Sequence, residues 1–543
     1  MRSKRGTAQG QIPQQILDFF ESPGGHSLLV KGDAGTGKTT FALQLIEELS
    51  GIEATHYISG RVTDRSLYNQ FPWLAKKVRR NDLIAGGRGF LNALHPGGRK
   101  GTCQARLPEA VKQEAKSLLK VLRGTETMPV AVDRSGLRKL EGQIIEGEAD
   151  VTAEGDRGDL VNGVLTLDLS SDLPEIEWAY DVVERALPKK SLIVFDSINS
   201  LSEKYGVAQV RLVNTIQRDL VENSGANLVY ILEEAEKSQL DYLGDGVIRL
   251  HSQYHKGRRL RVLTIEKLRG CPITEPTVCY TLLDGRMSVF ECPRYSIGDP
   301  GSGEGKPRHF KPIPDLSGDI VSTGSADIDF LIGGLAHGSV GVFEFADNVS
   351  PSIVSNLCYT MVANFVSQER GVCILPPRHG TGHTAYQMLS SQIGEERFYE
   401  RVRVFEPTTC LSKDILKNTI LLEGTNVETD FRWEGIEYAL SGSQQPFVIL
   451  LSLDTLSKMY DERVEGSLIP LIYAVRKVGA IFIGFTSEPD TERLIMSTAR
   501  IHVKVERLGD QTFLYGEKPY TGLHALIIED PSALGRLSLV PVV

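Results

Sequence analysis

The run Gly32-Asp33-Ala34-Gly35-Thr36-Gly37-Lys38-Thr39 fits the spacing G-x-x-x-x-G-K-[ST]. Each residue type suits one task. Glycines let backbone N–H groups close around a phosphate, because no Cβ blocks the approach. Lys38 would carry its charge to the β- and γ-phosphates. The Thr39 hydroxyl, with Thr40 beside it, would face a Mg2+ ion. One acid belongs to the same chemistry. Asp196 ends the apolar run Ser191-Leu-Ile-Val-Phe-Asp196, where its carboxylate could hold that ion with Thr39. ATP and Mg2+ are the implied ligands. The plainer alternatives are a chance glycine turn and an aspartate that only caps a helix.

Such a loop needs a strand before it and a helix after it. Leu28-Leu29-Val30 reads as a buried strand, and Thr39 to Leu49 as an amphipathic helix. The helix N-terminus adds partial positive charge where phosphates would lie. Further strands are expected at Ala54–Ser59, Asn227–Leu232, Arg259–Leu268 and Cys279–Phe290, and Asp241–Leu250 reads as a short helix, a turn and a strand. Helices are expected at Ile12–Phe20, Asp64–Phe71 and Val207–Glu222.

The 543 residues allow three or four domains, or two large ones. A net charge of −9 excludes polyanion binding by bulk charge. The seven cysteines are scattered and include no C-x-x-C, which suits a reducing cytoplasm and gives neither a disulfide framework nor a zinc spacing. His251 and His255 are followed by Lys256, Arg258 and Arg259, which disfavours a cation there. The basic N-terminus has no apolar stretch after it, so no signal peptide is expected, and no run is long and apolar enough for a transmembrane helix.

Charge is segregated within the first half. Lys76 to Lys139 carries fifteen Lys/Arg against five Asp/Glu, whereas Leu140 to Val183 carries twelve Asp/Glu and one Arg. Pro293 to Asp319, rich in Pro and Gly, reads as a linker. Beyond it the pattern repeats. Gly25–Gly32 matches Gly338–Phe345, Leu192–Tyr205 matches Val448–Tyr460, and Leu228–Leu232 matches Ala480–Phe485. The interval from Arg61 to Ser197 exceeds that from Arg378 to Ser452 by about 62 residues, which makes the charge-segregated stretch an insertion. The expected organisation is therefore an α/β domain at 1–292 with an insertion at about 76–170, a linker at 293–319, and a second α/β domain at 320–543, with mainly parallel sheets. The second copy puts Pro351 opposite Lys38, Ser350 opposite Gly37 and Leu451 opposite Asp196, so it lacks a triphosphate cradle. Gly380-Thr-Gly-His383 lacks a lysine and reads as a loop.

These motifs resemble the RecA/RadA/KaiC group of P-loop ATPases. They are GDAGTGKTTFALQ after a strand, Phe195-Asp196-Ser197, DYLGDGVIRL at 241–250 and IEKLRG at 265–270. Ser322–Leu335 is similar to that group's entry segment. The resemblance covers most of 12–292 and, more weakly, 318–530. It implies two tandem RecA/KaiC-like domains, the second degenerate. It also implies that Lys267 and Arg269 reach the γ-phosphate of a neighbouring subunit, hence a homo-oligomeric ring or filament. One departure matters: the group places glutamate just after the second strand, and this chain has Ser59-Gly-Arg-Val-Thr-Asp64. Asp64 is the expected substitute as the base that orients water; Glu233 and Glu234 are less favoured. Arg61 could touch phosphate or sit on the surface. ATP binding with slow hydrolysis is therefore expected. In length, early phosphate loop and arginine-rich segments, the chain is also similar to the archaeal gas-vesicle regulatory family GvpD. That resemblance implies repression of gas-vesicle formation through contact with a transcriptional activator.

Two functions compete. One is a cytoplasmic regulator whose ATP site gates contact with a protein partner, since a switch needs state-dependent binding more than turnover. The other is a DNA-dependent ATPase of recombination or repair, with Lys76, Lys77, Arg79, Arg80, Arg99, Lys100, Arg134 and Arg138 touching phosphates. Few aromatics accompany those cations, which weakens a base-stacking surface. The basic block could instead simply neutralise the acidic block beside it.

Overall fold

The computed structural model describes residues 11–51, 53–60, 64–74, 83–85, 160–161, 164–165, 173–290, 309–377, 380–408, 415–460, 464–487, 493–528, 534 and 537–543. Most of the charge-segregated stretch, including every cation named above for DNA, lies outside them, as do 293–308 of the expected linker. Contacts divide the chain into two compact units. The first comprises 1–251, 263–276 and 284–287; the second comprises 252–262, 277–283 and 288–543. Among the described residues no helix is long and apolar enough to cross a membrane.

In the first unit, six strands lie side by side and parallel. Their order is Leu83–Ala85, Ala54–Ser59, Ser191–Asp196, Asn227–Ile231, Ser27–Gly32 and Gly246–His255. Ser27–Gly32 is buried at every residue and so is Asn227–Ile231. Strands apolar on both faces must be covered on both faces, and parallel neighbours are joined by crossover helices. The helix Lys38–Leu49 supplies one such cover and buries Phe41, Leu43, Leu45 and Ile46. Each of these side chains contributes roughly 1.5–3 kcal/mol by leaving water. Ile198–Tyr205 starts at Ser197, whose hydroxyl accepts from the Ser200 N–H in a reciprocal cap. The single helix expected over Val207–Glu222 is instead an α-helix, Gln209–Ile216, running into a wider π-turn, Gln217–Asn223. The widening coincides with buried Gln217, whose amide donates to Asp245 Oδ2 at 3.0 Å. Polar groups of this kind are poorly visible to a hydrophobic-periodicity reading.

The second unit holds a ten-stranded sheet. Its parallel strands run Thr419–Leu422, Val402–Pro407, Arg370–Leu375, Gln444–Ser452, Ile481–Thr486, Val340–Phe345 and Ile501–Leu508. Gln511–Lys518, His524–Ile528 and Leu537–Pro541 then add antiparallel. The sheet is thus mixed, more so than a mainly parallel reading suggests. Leu260, Val262, Cys279 and Phe290 share a core with Phe513 and Tyr515 in this unit. With Val340–Phe345 set on Ser27–Gly32, the parallel strands of both units follow one spatial order, and Thr419–Leu422 is added at an edge. The register corrects one sequence match. Val30 pairs with Ile231, which pairs with Asp196; Phe343 pairs with Phe485, which pairs with Ser452. Ser452, not Leu451, therefore stands opposite Asp196. The ladder fixes a register that a hand alignment across a gap leaves free by one residue.

Candidate functional site

The loop between Ser27–Gly32 and Lys38–Leu49 depends on its glycines. A Cβ on Gly32 would sit 2.1 Å from the Leu250 carbonyl oxygen, and its φ is +150°. Gly35 and Gly37 have φ of 76° and 97°, the region that favours glycine. Gly37 is the residue that turns the chain into the helix. Asp33, Ala34 and Gly35 are exposed, while Thr36 is buried and its hydroxyl donates to the Asp33 carbonyl at 2.8 Å. Lys38 folds back over the loop. Its Nζ donates to the carbonyls of Gly32 at 2.6 Å and Asp33 at 2.9 Å. Burial pulls its pKa below the ordinary lysine value, against the attraction of Glu233, Asp196 and Asp33. Thr40 is buried beneath the loop.

Asp196 ends its strand next to this loop. Thr39 Oγ1 donates to its Oδ2 at 2.8 Å, and the Tyr57 hydroxyl donates to the same oxygen at 2.5 Å. Burial raises the Asp196 pKa, while Tyr57, Thr39 and Lys38 act to lower it. Burial and the Asp196 charge push the Tyr57 hydroxyl well above its ordinary value. A hydroxyl and a carboxylate converging beside a glycine loop are the hard oxygen donors that Mg2+ takes. Thr39 and Asp196 fit that ion, which would neutralise phosphate charge there. Tyr57 escapes sequence reading. Its one visible signal is a hydroxyl-bearing aromatic in a strand that pairs Ser59 with Asp196.

The other expected site residues lie apart. Asp64 opens the helix Asp64–Gln70, after residues 61–63, among them Arg61, which lie outside the described residues. Lys267 Nζ donates to the Gly244 carbonyl at 2.6 Å and the Asp241 carbonyl at 3.3 Å. Burial, then Arg269, lowers its pKa. Arg269 pairs with Asp245 at 2.8 Å and stays 64% exposed. Gly246 pairs with Leu28 and Leu250 with Gly32, so the 244–246 turn sits at the end of the sheet opposite the loop, while Asp241 reaches Lys31. Neither cation meets the loop of its own chain.

In the second unit the corresponding loop leads into Pro351–Ser367, with proline in the first turn. A pocket of about 140 Å³ there is lined by Asp347, Pro351, Ser452, Asp454, Thr486 and Ser487 among others, with no lysine or arginine among the described residues. Asp454 accepts from Thr486 Oγ1 at 2.9 Å and from the Ser487 N–H at 2.8 Å. An acidic lining repels a triphosphate. The expected Gly380–His383 loop is half helix: Thr381 caps Gly382–Ile393, and the Gly382 N–H donates to Glu406 Oε1 at 2.6 Å. A carboxylate already satisfies that helix start, where an anion would otherwise bind.

Residues 16–86 and 114–266 match the model of the family described as "GvpD gas vesicle protein, P-loop domain". Protein GvpD2 of Halobacterium salinarum is 25% identical over 551 residues, covering 98% of this chain and 96% of that protein. Protein GvpD1 of the same organism is 22% identical over 593 residues, covering 98% and 97%. The chain thus contains a P-loop nucleotide-binding domain with distant homology to the GvpD proteins, in an α/β fold with mixed sheets.

Proposed function

We propose that this chain is an ATP-binding regulatory protein in which nucleotide on the first unit gates contact with a protein partner. One observation carries the reading: Lys38, Thr39 and Asp196 converge on a glycine loop already bent to admit phosphate. The second unit, whose corresponding pocket has no cation among the described residues, fits a packing or docking role, and the shared strand order supports a duplicated origin for the two. Homology along nearly the whole chain to the GvpD proteins supports a place in gas-vesicle regulation, with a transcriptional activator as partner. Lys267 and Arg269, remote from their own loop, are assigned to the nucleotide of a neighbouring copy.

The test is Lys38→Ala in the full chain. ATP binding and partner regulation are expected to disappear together. Loss of ATP binding with regulation intact would contradict gating.

A further inference from the structure

Glu233 comes just after the strand Asn227–Ile231 and is exposed. Its neighbourhood is tied down on every side. The Leu232 N–H donates to the Val30 carbonyl at 2.9 Å, and the Gly32 N–H donates to the Glu234 carbonyl at 3.1 Å. The Glu233 N–H donates to Asn199 Oδ1 at 2.9 Å, and its side chain accepts from Ser197 Oγ at 3.4 Å. The first glycine of the loop and Asn199 therefore hold the backbone around Glu233, and Ser197, the residue after Asp196, meets its carboxylate. Among the charges acting on the Lys38 ammonium, Glu233 acts most strongly, ahead of Asp196.

Topology explains the placement. Asn227–Ile231 lies between Ser27–Gly32 and Ser191–Asp196, so the segment leaving its C-terminal end emerges between the phosphate loop and the magnesium acid. Asp64 comes after Ala54–Ser59, on the far side of Ser191–Asp196 from the loop strand. A group that orients water must stand where the γ-phosphate ends, between Lys38 and Asp196. The strand before Glu233 adjoins both the loop strand and the Asp196 strand, and the strand before Asp64 adjoins the Asp196 strand.

We propose that Glu233 is the catalytic base for ATP hydrolysis, taking the place of the glutamate missing after Ser59. The proposal rests on the ATP-binding reading above. Water oxygen bonds to the γ-phosphorus as the bond from that phosphorus to the β–γ bridging oxygen breaks. The bond's electron pair leaves with ADP. The water proton passes to the Glu233 carboxylate and from there to solvent, and the products are ADP and inorganic phosphate.

Full-length wild type, Glu233→Gln and Glu234→Gln are to be compared by equilibrium ATP binding, phosphate release, and the identity of the nucleotide recovered bound after incubation. Glu234 serves as the neighbouring acid; its carboxylate faces Lys31 at 3.8 Å. Glu233→Gln is expected to bind ATP within about threefold of wild type, to release phosphate at least about 100-fold more slowly, and to yield bound ATP where wild type yields ADP. Glu234→Gln should behave as wild type. Turnover by Glu233→Gln within about threefold of wild type would overturn the assignment. So would an equal loss in Glu234→Gln, or a wild type that binds ATP and releases no phosphate. A wild type that binds no ATP would overturn the nucleotide reading itself, and the assignment with it.

Discussion

At the scale of single residues, the site depends on which oxygen atoms Asp196 has left to offer. Its Oδ2 already takes hydrogen bonds from Thr39 and Tyr57. A carboxylate so held cannot swing away from the loop, and a hydrogen bond to a charged group is worth about 1.5–3 kcal/mol. Tyr57→Phe removes one tether and keeps the ring. ATP binding by that variant should need about tenfold more Mg2+, as read by titrating Mg2+ at fixed ATP. An unchanged Mg2+ requirement would reduce Tyr57 to a core tyrosine. The contrast with Lys38 shows what a sequence can display. Gly32, Gly37, Lys38 and Thr39 are local, so spacing alone reveals them. Tyr57 meets Asp196 across 139 residues, and only the pairing of two strands brings them together.

At the scale of elements, the parallel sheet of the first unit has a chemical end and a structural end. The loop, Asp196 and Glu233 lie where the strands finish. Where they begin, buried Glu53 accepts from Asn227 Nδ2 at 2.7 Å, and its other oxygen has no hydrogen-bond partner among the described residues. Burial raises its pKa to about 7. The folded state therefore favours the protonated acid. Its contribution is full below the unfolded value of about 4.5 and is lost as pH rises through about 7. Glu53→Gln keeps the acceptor for Asn227 and cannot ionise. Relative to wild type it should gain about 1–2 kcal/mol between pH 5 and pH 8, measured by urea unfolding at both. A constant difference would show that Glu53 does not titrate with folding. The strands and most helices of this unit were legible as apolar runs. The Gln217–Asn223 π-turn was not, because a buried amide reaching Asp245 leaves no mark on hydrophobic periodicity.

At the scale of the whole molecule, the first unit holds the glycine loop with Lys38, Thr39 and Asp196, and the pocket of the second is lined by Asp347 and Asp454, with no lysine or arginine among the described residues. The parallel strands of both units share the same order, yet Pro351 and Ser452 stand where Lys38 and Asp196 do. The absence of a lysine and an aspartate at these matched positions was readable from the sequence. The acidic pocket and the carboxylate on the Gly382 helix start were not, since Asp454 and Glu406 approach from distant segments. The proposed regulator needs a single nucleotide input, which one site per chain would supply. Calorimetric titration of the full chain with Mg-ATP, beside Lys38→Ala, tests this most directly. One ATP per chain is expected for wild type and none for Lys38→Ala. Two per chain, or binding that survives Lys38→Ala, would contradict a single nucleotide input.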